Sequence, residues 1–320
     1  THALNGSVAF NNTGTVNVTT GTLLVHGWGD IGGNYIIAAG AACNYDAGTH
    51  TLNTGLSTTG VGALTISGGT INVSGSVTTN GNLTFIGSSY LTGTGTLNTQ
   101  GTILITGEFR PTGGVSWVNQ GTLTVGGSGH LYFGAYGGGN NTLTNAAGAT
   151  LNLSSSSGTP IDFYTGTATF NNAGTLNQTA TGSHAIHSSV TFNNTGTVNV
   201  GAGTLGYNRN WTNQGAVSIA PGARLSIGGS FTNSAAATVR LGLGNVSTYG
   251  VLAASGTASL NGTLVVYLEG GYVPVDSDVF NVMTYASRSG AFGSLLGESP
   301  GTQVSFSVDT ASSPSTLKIK

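Results

Sequence analysis

The sequence predicts an all-β fold: a right-handed parallel β-helix, or β-solenoid, of roughly 12 coils with a C-terminal β module. Three observations predict it. First, the nonapeptide Phe-Asn-Asn-Thr-Gly-Thr-Val-Asn-Val stands at Phe10–Val18 and again, unchanged, at Phe192–Val200. Degenerate copies run over Trp117–Val125, Phe170–Asn177 and Trp211–Ile219, and Phe231–Asn233 keeps the opening of the phrase. Each begins aromatic–x–Asn, and the longer copies continue x–Gly–small–apolar. A repeated unit of this kind stacks on its neighbours. Second, apolar residues alternate with Thr, Asn and Ser in short runs such as Thr70–Ser74, Leu83–Phe85 and Thr122–Val125. A period of two places the apolar side chains on one face of a half-buried strand. Third, Gly supplies 55 of 320 residues and punctuates those runs, while no stretch of helical length carries helical periodicity and caps. Low-complexity disorder is not expected, given the 38% hydrophobic content and its regular alternation, and a β-rich solenoid explains the composition better.

Taken in chain order, Thr1–Phe10 reads as a strand already, with no Pro or Lys to block its edge. Trp28–His50 is the least regular stretch, and a loop or distorted coil is expected there. Cys43, the single cysteine, reads as a small buried residue and allows no intrachain disulfide. Further on, loops are expected to bulge at Gly134–Asn140 and Ser154–Thr159, where Leu143 takes the aromatic place of the repeat. Phe10, Trp117, Phe170, Phe192, Trp211 and Phe231 are the expected core aromatics. The last four recur every ~20 residues, enough for three strands and three corners, so residues 10–244 hold about twelve coils. At ~4.8 Å per coil they would form a rod roughly 55–60 Å long.

Two places after the aromatic stands an Asn column: Asn12, Asn119, Asn145, Asn172, Asn194, Asn213 and Asn233. Stacked coils bring equivalent residues together. Each amide carries a donor and an acceptor, so the column is expected to form a ladder. Asn also tolerates the left-handed conformation that a corner demands. The repeat's Gly is expected to turn the corner. The ladder occupies the amides, so the column is read as structural.

Near Asn245 the repeat fades, which divides the chain into solenoid repeats over 1–244 and a C-terminal β module over 245–320. This module carries a Gly262-Thr-Leu strand, a Gly271-Tyr-Val-Pro274 turn, an Asp278-Val-Phe-Asn-Val282 strand and a Ser289-Gly-Ala-Phe292 turn. With these features it resembles the C-terminal module of large bacterial surface solenoids, including autotransporter-like passengers and filamentous-haemagglutinin-like exoproteins. The resemblance covers about 75 residues by motif, and the rest of the chain only by repeat style. It implies a secreted protein at a bacterial cell surface. No membrane-barrel region follows Lys320, so self-secretion is not expected.

Charge narrows the function classes. Charged residues make up 5% of the chain and the net charge is −2, with seven basic residues scattered singly. Nucleic-acid binding draws on clustered Lys and Arg, so that partner is not expected. No apolar run is long enough for a membrane-spanning helix. The chain begins at Thr1 without Met, and processing would explain that, so no cytoplasmic location follows.

A search for chemistry finds little. Polysaccharide lyases and hydrolases on β-helices need clustered carboxylates or a base beside a charged group. Asp276 and Asp278 form the one close acidic pair and read as a solvated turn, short of the six oxygens calcium takes. His184 and His187 are three apart, which on a strand puts them on opposite faces. The Thr-Gly-Thr ranks flank corners and read as pairing along a sheet, not as an ice-binding plane. No nucleophile elbow, phosphate loop or zinc motif is present, and no cofactor or metal is expected. Trp28, Tyr35, Tyr45, Tyr132 and Tyr136, in the less regular segments, are the candidate glycan or partner surface.

The expected function is an extracellular structural or adhesive solenoid, without catalysis, that self-associates head to tail into a filament or binds other surface proteins. A glycan-binding module of a larger surface protein and a carbohydrate-active enzyme are the alternatives.

Overall fold

The computed structural model describes residues 1–298, 306–309 and 316–319. Among them every regular element is a β-strand, and nearly all strands pair in parallel, forming a β-solenoid of about 12 coils. The chain divides into two compact units. One holds residues 1–171 with 189–191, the other residues 172–188 with 192–320.

In the first unit a coil is three short strands. Thr96–Thr99, Thr102–Ile105 and Glu108–Pro111 make one coil, and Ser116–Asn119, Thr122–Val125 and His130–Phe133 make the next. They stack in parallel, with Thr96 opposite Ser116, Thr102 opposite Thr122 and Glu108 opposite His130. The period of two turns Leu97, Ile103, Ile105 and Phe109 inward, above Trp117, Leu123, Val125 and Leu131. Burying one such side chain fully contributes about 1.5–3 kcal/mol, and each coil repeats that gain. The ring of Phe109 lies 4.2 Å from Phe85 and 5.5 Å, edge to face, from Trp117. Trp117 donates its indole N–H to Thr99 Oγ1 at 3.0 Å, which satisfies the buried nitrogen.

The second unit repeats the plan with different rings. Phe192 stacks on Trp211 at 5.3 Å and 7°, and Trp211 lies 5.9 Å from Phe231, its register partner. Val198, Val217, Val239 and Leu264 follow one another up a second side. Parallel pairing continues past Asn245, with Leu252 opposite Met283 and Ala258 opposite Arg288.

Trp117, Phe170, Phe192, Trp211 and Phe231 are buried. Phe10 departs from the expectation and is only half-buried. It belongs to the first coil, joined to the following one by its N–H to the Trp28 carbonyl and by its own carbonyl to Asp30 N–H. Among the described residues no coil covers its other side.

The Asn ladder is explicit within each unit. In the first, Asn119 Nδ2 donates to Asn145 Oδ1 at 2.8 Å. In the second, Asn172 donates to Asn194, Asn194 to Asn213 and Asn213 to Asn233, at 2.8–2.9 Å. Asn12 is the exception: its amide donates to the Gly32 carbonyl at 2.6 Å, because the next coil has Gly32 and no Asn to accept. The expected reason for Asn at a corner needs correction. No Asn has positive φ, and Tyr136 is the single non-Gly residue that does among the described residues. The amides bridge the corner instead: Asn213 Nδ2 donates to the Gly215 carbonyl at 3.1 Å, and Gly215 N–H donates back to Asn213 Oδ1 at 3.3 Å.

The repeat's Gly also needs a different reason. Gly196 and Gly215 have ordinary φ. A Cβ at either would lie 2.1 Å from a carbonyl oxygen of the coil beneath, Gly174 or Gly196. Close approach of one corner to the next, not turning, requires Gly here.

The segment Trp28–His50, expected to be loop or distorted coil, is a regular part of the solenoid. It holds the strands Gly29–Ile31, Asn34–Ile37 and Ala42–Tyr45, and Thr49–Leu52 follows at its end. Tyr35 and Tyr45 are correspondingly no surface residues: both are fully buried. Their hydroxyls meet at 2.5 Å, so the core accepts two phenols without an unpaired polar tip. His50 packs edge-on to Tyr45 at 4.8 Å and bonds the Ala47 carbonyl through Nε2 at 2.9 Å. Cys43 is buried beside them, and burial pushes its thiol up to about 12.

Candidate functional site

The outward face of one side of the first unit carries a cluster unlike the rest of the surface. The strands Ser88–Thr92, Glu108–Pro111, His130–Phe133 and Ile161–Phe163 form it. Their alternation buries Ser89, Leu91, Phe109, Leu131 and Phe133. Tyr90, Glu108, Arg110, His130 and Tyr132 therefore point outward. Stacking places Tyr90 opposite Arg110, Glu108 opposite His130, and Tyr132 opposite Asp162.

Two loops add to the face. Equivalent residues lie 20 apart from Tyr90 to Arg110, but 26 apart from Ser116 to Thr142, because residues 134–139 are inserted between strands. That insertion carries Tyr136, which is 72% exposed. Residues 154–160 form the second loop, and just beyond the strand that follows stands Tyr164, 51% exposed. Tyr136 lies 5.5 Å from Tyr164 and 6.4 Å from Tyr90, and Tyr132 lies 5.7 Å from Tyr164.

Arg110 holds the cluster together. Its guanidinium sits 4.9 Å from the Tyr90 ring centre and 5.4 Å from that of Tyr136, within cation–π range. It donates to the Tyr90 hydroxyl at 2.8 Å and through Nε to Glu108. Burial works against its charge, but the hydrogen bond and attraction of Glu108 outweigh it and raise its pKa further. The second Glu108 oxygen lies 3.9 Å from His130 Nε2. Tyr132 is also raised, first by desolvation and then by the carboxylates of Asp162 and Glu108.

Beside Tyr90 and Tyr136, whose rings meet edge to face at 6.4 Å, opens a hollow of about 190 Å³, lined by both residues, by Thr70, Thr92 and Thr112, and by Ala135 and Gly137. It presents ring faces beside hydroxyl groups. Tyr136 is held at φ 58°. A bulky residue in this region is strained by about 1–2 kcal/mol, and such strain collects at functional sites.

The remaining sequence candidates fall elsewhere. Trp28 is 55% exposed but makes no ring contact among the described residues. Nearby, His26 Nδ1 and Asp46 Oδ1 pair at 2.7 Å. Asp278 serves its own turn: it accepts from the Tyr272 hydroxyl and from Val275 N–H. These bonds hold its carboxyl below the usual range. His184 is buried, with Nε2 at 2.9 Å from the Thr181 carbonyl. Tyr90, Glu108, Arg110, His130, Asp162 and Tyr164 were not singled out by the sequence. The signal that marks Tyr90 and Arg110 is their 20-residue spacing at outward positions of the repeat.

Comparison with family models and with curated proteins finds no match to this chain.

Proposed function

We propose that the chain is an extracellular structural and adhesive β-solenoid of a bacterial cell surface, and that the Tyr90–Arg110–Tyr136–Tyr164 face is its glycan-contacting surface. The observation that carries this reading is Tyr136. An exposed ring in a strained backbone adds nothing to the core, yet it stands over a hollow lined with hydroxyls. Tyr rings present wide apolar area with a polar tip and few rotatable bonds. Sugar rings offer the complement, apolar C–H faces rimmed by hydroxyls. The laddered interior supports a scaffold role, since its amides bond one another and leave no chemistry on that side. The resemblance of the C-terminal module to autotransporter-like and filamentous-haemagglutinin-like proteins supports the location.

A glycan array probed with the full chain and with the Tyr136→Gly, Tyr164→Ala double variant tests the proposal. Binding that disappears in the double variant is the expected result. Binding that survives it, or no binding by the parent chain, refutes the role of this face. Assaying the bound polymers for new reducing ends or unsaturated products tests the carbohydrate-active alternative.

A further inference from the structure

The hollow beside Tyr90 and Tyr136 selects a class of sugar. We infer that it takes a neutral hexose unit and discriminates against uronates and other acidic glycans; this rests on the glycan-contacting reading above. Charge decides the class. Arg110 is the one permanent cation in the cluster, and Glu108 and the Tyr90 hydroxyl already engage it. Glu108 and Asp162 supply two carboxylates on the same face. An acidic sugar would meet net negative charge and no free cation. The lining fits a neutral one: ring faces of Tyr90 and Tyr136, and threonines 70, 92 and 112. Size sets how much of a glycan the hollow can hold. Drug-sized ligands occupy pockets of roughly 300–1,000 Å³, whereas this hollow measures about 190 Å³, enough for one sugar ring. A protein partner would call for a wider, drier apolar centre.

Tyr164, tilted 36° against Tyr136 at 5.5 Å, adds a ring next to Tyr136 outside the lining of the hollow. One residue of a chain then sits in the hollow beside Tyr90 and Tyr136, and the next rests on Tyr164.

Isothermal titration of the full chain with neutral gluco-, manno- and galacto-oligosaccharides, and with oligogalacturonate, tests the inference. One neutral series is expected to bind, with an affinity that added NaCl barely changes, because no charge is neutralised. Tyr136→Gly and Thr92→Val are each expected to weaken it about tenfold or more. In Glu108→Gln, Arg110 loses its carboxylate partner, and oligogalacturonate binding is expected to appear. Preferential binding of oligogalacturonate by the parent chain, lost in Tyr136→Gly, overturns the neutral class and leaves the glycan-contacting face standing. Failure of every sugar overturns both, and so does Tyr136-dependent capture of a protein in place of sugar. Failure of Glu108→Gln to gain oligogalacturonate counts against the charge argument.

Discussion

Replacing Tyr136 by Gly and by Ala separates strain from contact at the candidate site. Tyr136 sits at φ 58°, where an L side chain pays about 1–2 kcal/mol for Cβ against its own carbonyl. Gly pays none of this, but costs about 0.5–1 kcal/mol of extra chain entropy. Both variants lose the same ring contacts, with Tyr164 at 5.5 Å, Tyr90 at 6.4 Å and Arg110 at 5.4 Å. At this exposure the cation–π contact is worth about 0.5–1 kcal/mol. For Tyr136→Gly, relief of strain and loss of contacts therefore nearly cancel. Tyr136→Ala keeps the strain, loses the contacts and falls below the parent by about 1 kcal/mol. The Gly variant is thus expected to exceed the Ala variant by roughly 0.5–1 kcal/mol. Urea unfolding of the full chain reads this as a higher midpoint at unchanged slope. Glycan binding is expected to be lost equally in both. An Ala variant as stable as the Gly variant would refute the strain; a Gly variant that still binds would refute the purpose assigned to it.

Three further outcomes test the scaffold. Trp211→Phe is expected to cost less than about 1 kcal/mol, since its indole N–H is buried without a hydrogen bond. Trp117→Phe, which strands Thr99 Oγ1, is expected to cost about 1–2 kcal/mol more in the same denaturation assay. Asn213→Ala removes one rung and leaves the Asn194 donor and the Asn233 acceptor short of a partner, at a cost of about 2–4 kcal/mol, while Asn12→Ala, outside any Asn ladder, costs less. The Tyr272–Asp278 bond sets a pH window for the Gly271–Asp278 turn. The Asp278 carboxyl is lowered, so its contribution is present above the ordinary carboxylate pKa and is lost as pH falls through the depressed value. Tyr272 is pushed up to about 12, by desolvation first and Asp278 next, so its contribution is complete below the ordinary phenol pKa and is lost as pH rises through the raised value. Ultraviolet titration is expected to show one of the late-ionising tyrosines moving down toward the ordinary range in Asp278→Asn, by the share Asp278 contributes.

The fold was legible because a solenoid writes its geometry locally. Alternation at Thr122–Val125 gives the strand, and the returning Phe-Asn-Asn-Thr-Gly gives the coil. What a local pattern does not contain is the partner on the next coil. Tyr35 and Tyr45 look like surface residues when each is read alone, since a lone phenol is costly to bury. They pair with each other at 2.5 Å, which removes that cost and hides them. The same blindness concealed Arg110. A single Arg among scattered charges carries no message until a Tyr stands one coil below and a Glu two residues before it. Gly196 misled in the opposite sense. Gly at a corner suggests positive φ, yet its reason is the Gly174 carbonyl 2.1 Å from where a Cβ would be.

The site arises where the repeat stops satisfying itself. Inside a regular coil the column amides of the phrase are already engaged: Asn172, Asn194 and Asn213 each donate to the next Asn of the column, and Gly215 bonds back to Asn213. Such a surface gives a ligand little to compete for. Residues 134–139 break the 20-residue step and must make their own connection. Gly134, Gly138 and Gly139 adopt positive φ, so this loop had glycine available for its left-handed positions. At one of them stands Tyr136 instead. A ring held where Gly would carry no strain, with a guanidinium 5.4 Å from its centre, is the arrangement expected when backbone strain is accepted for a binding surface. Tyr136→Gly is therefore expected to lose adhesion at nearly unchanged stability, whereas both should fall together at Trp117 or Asn213.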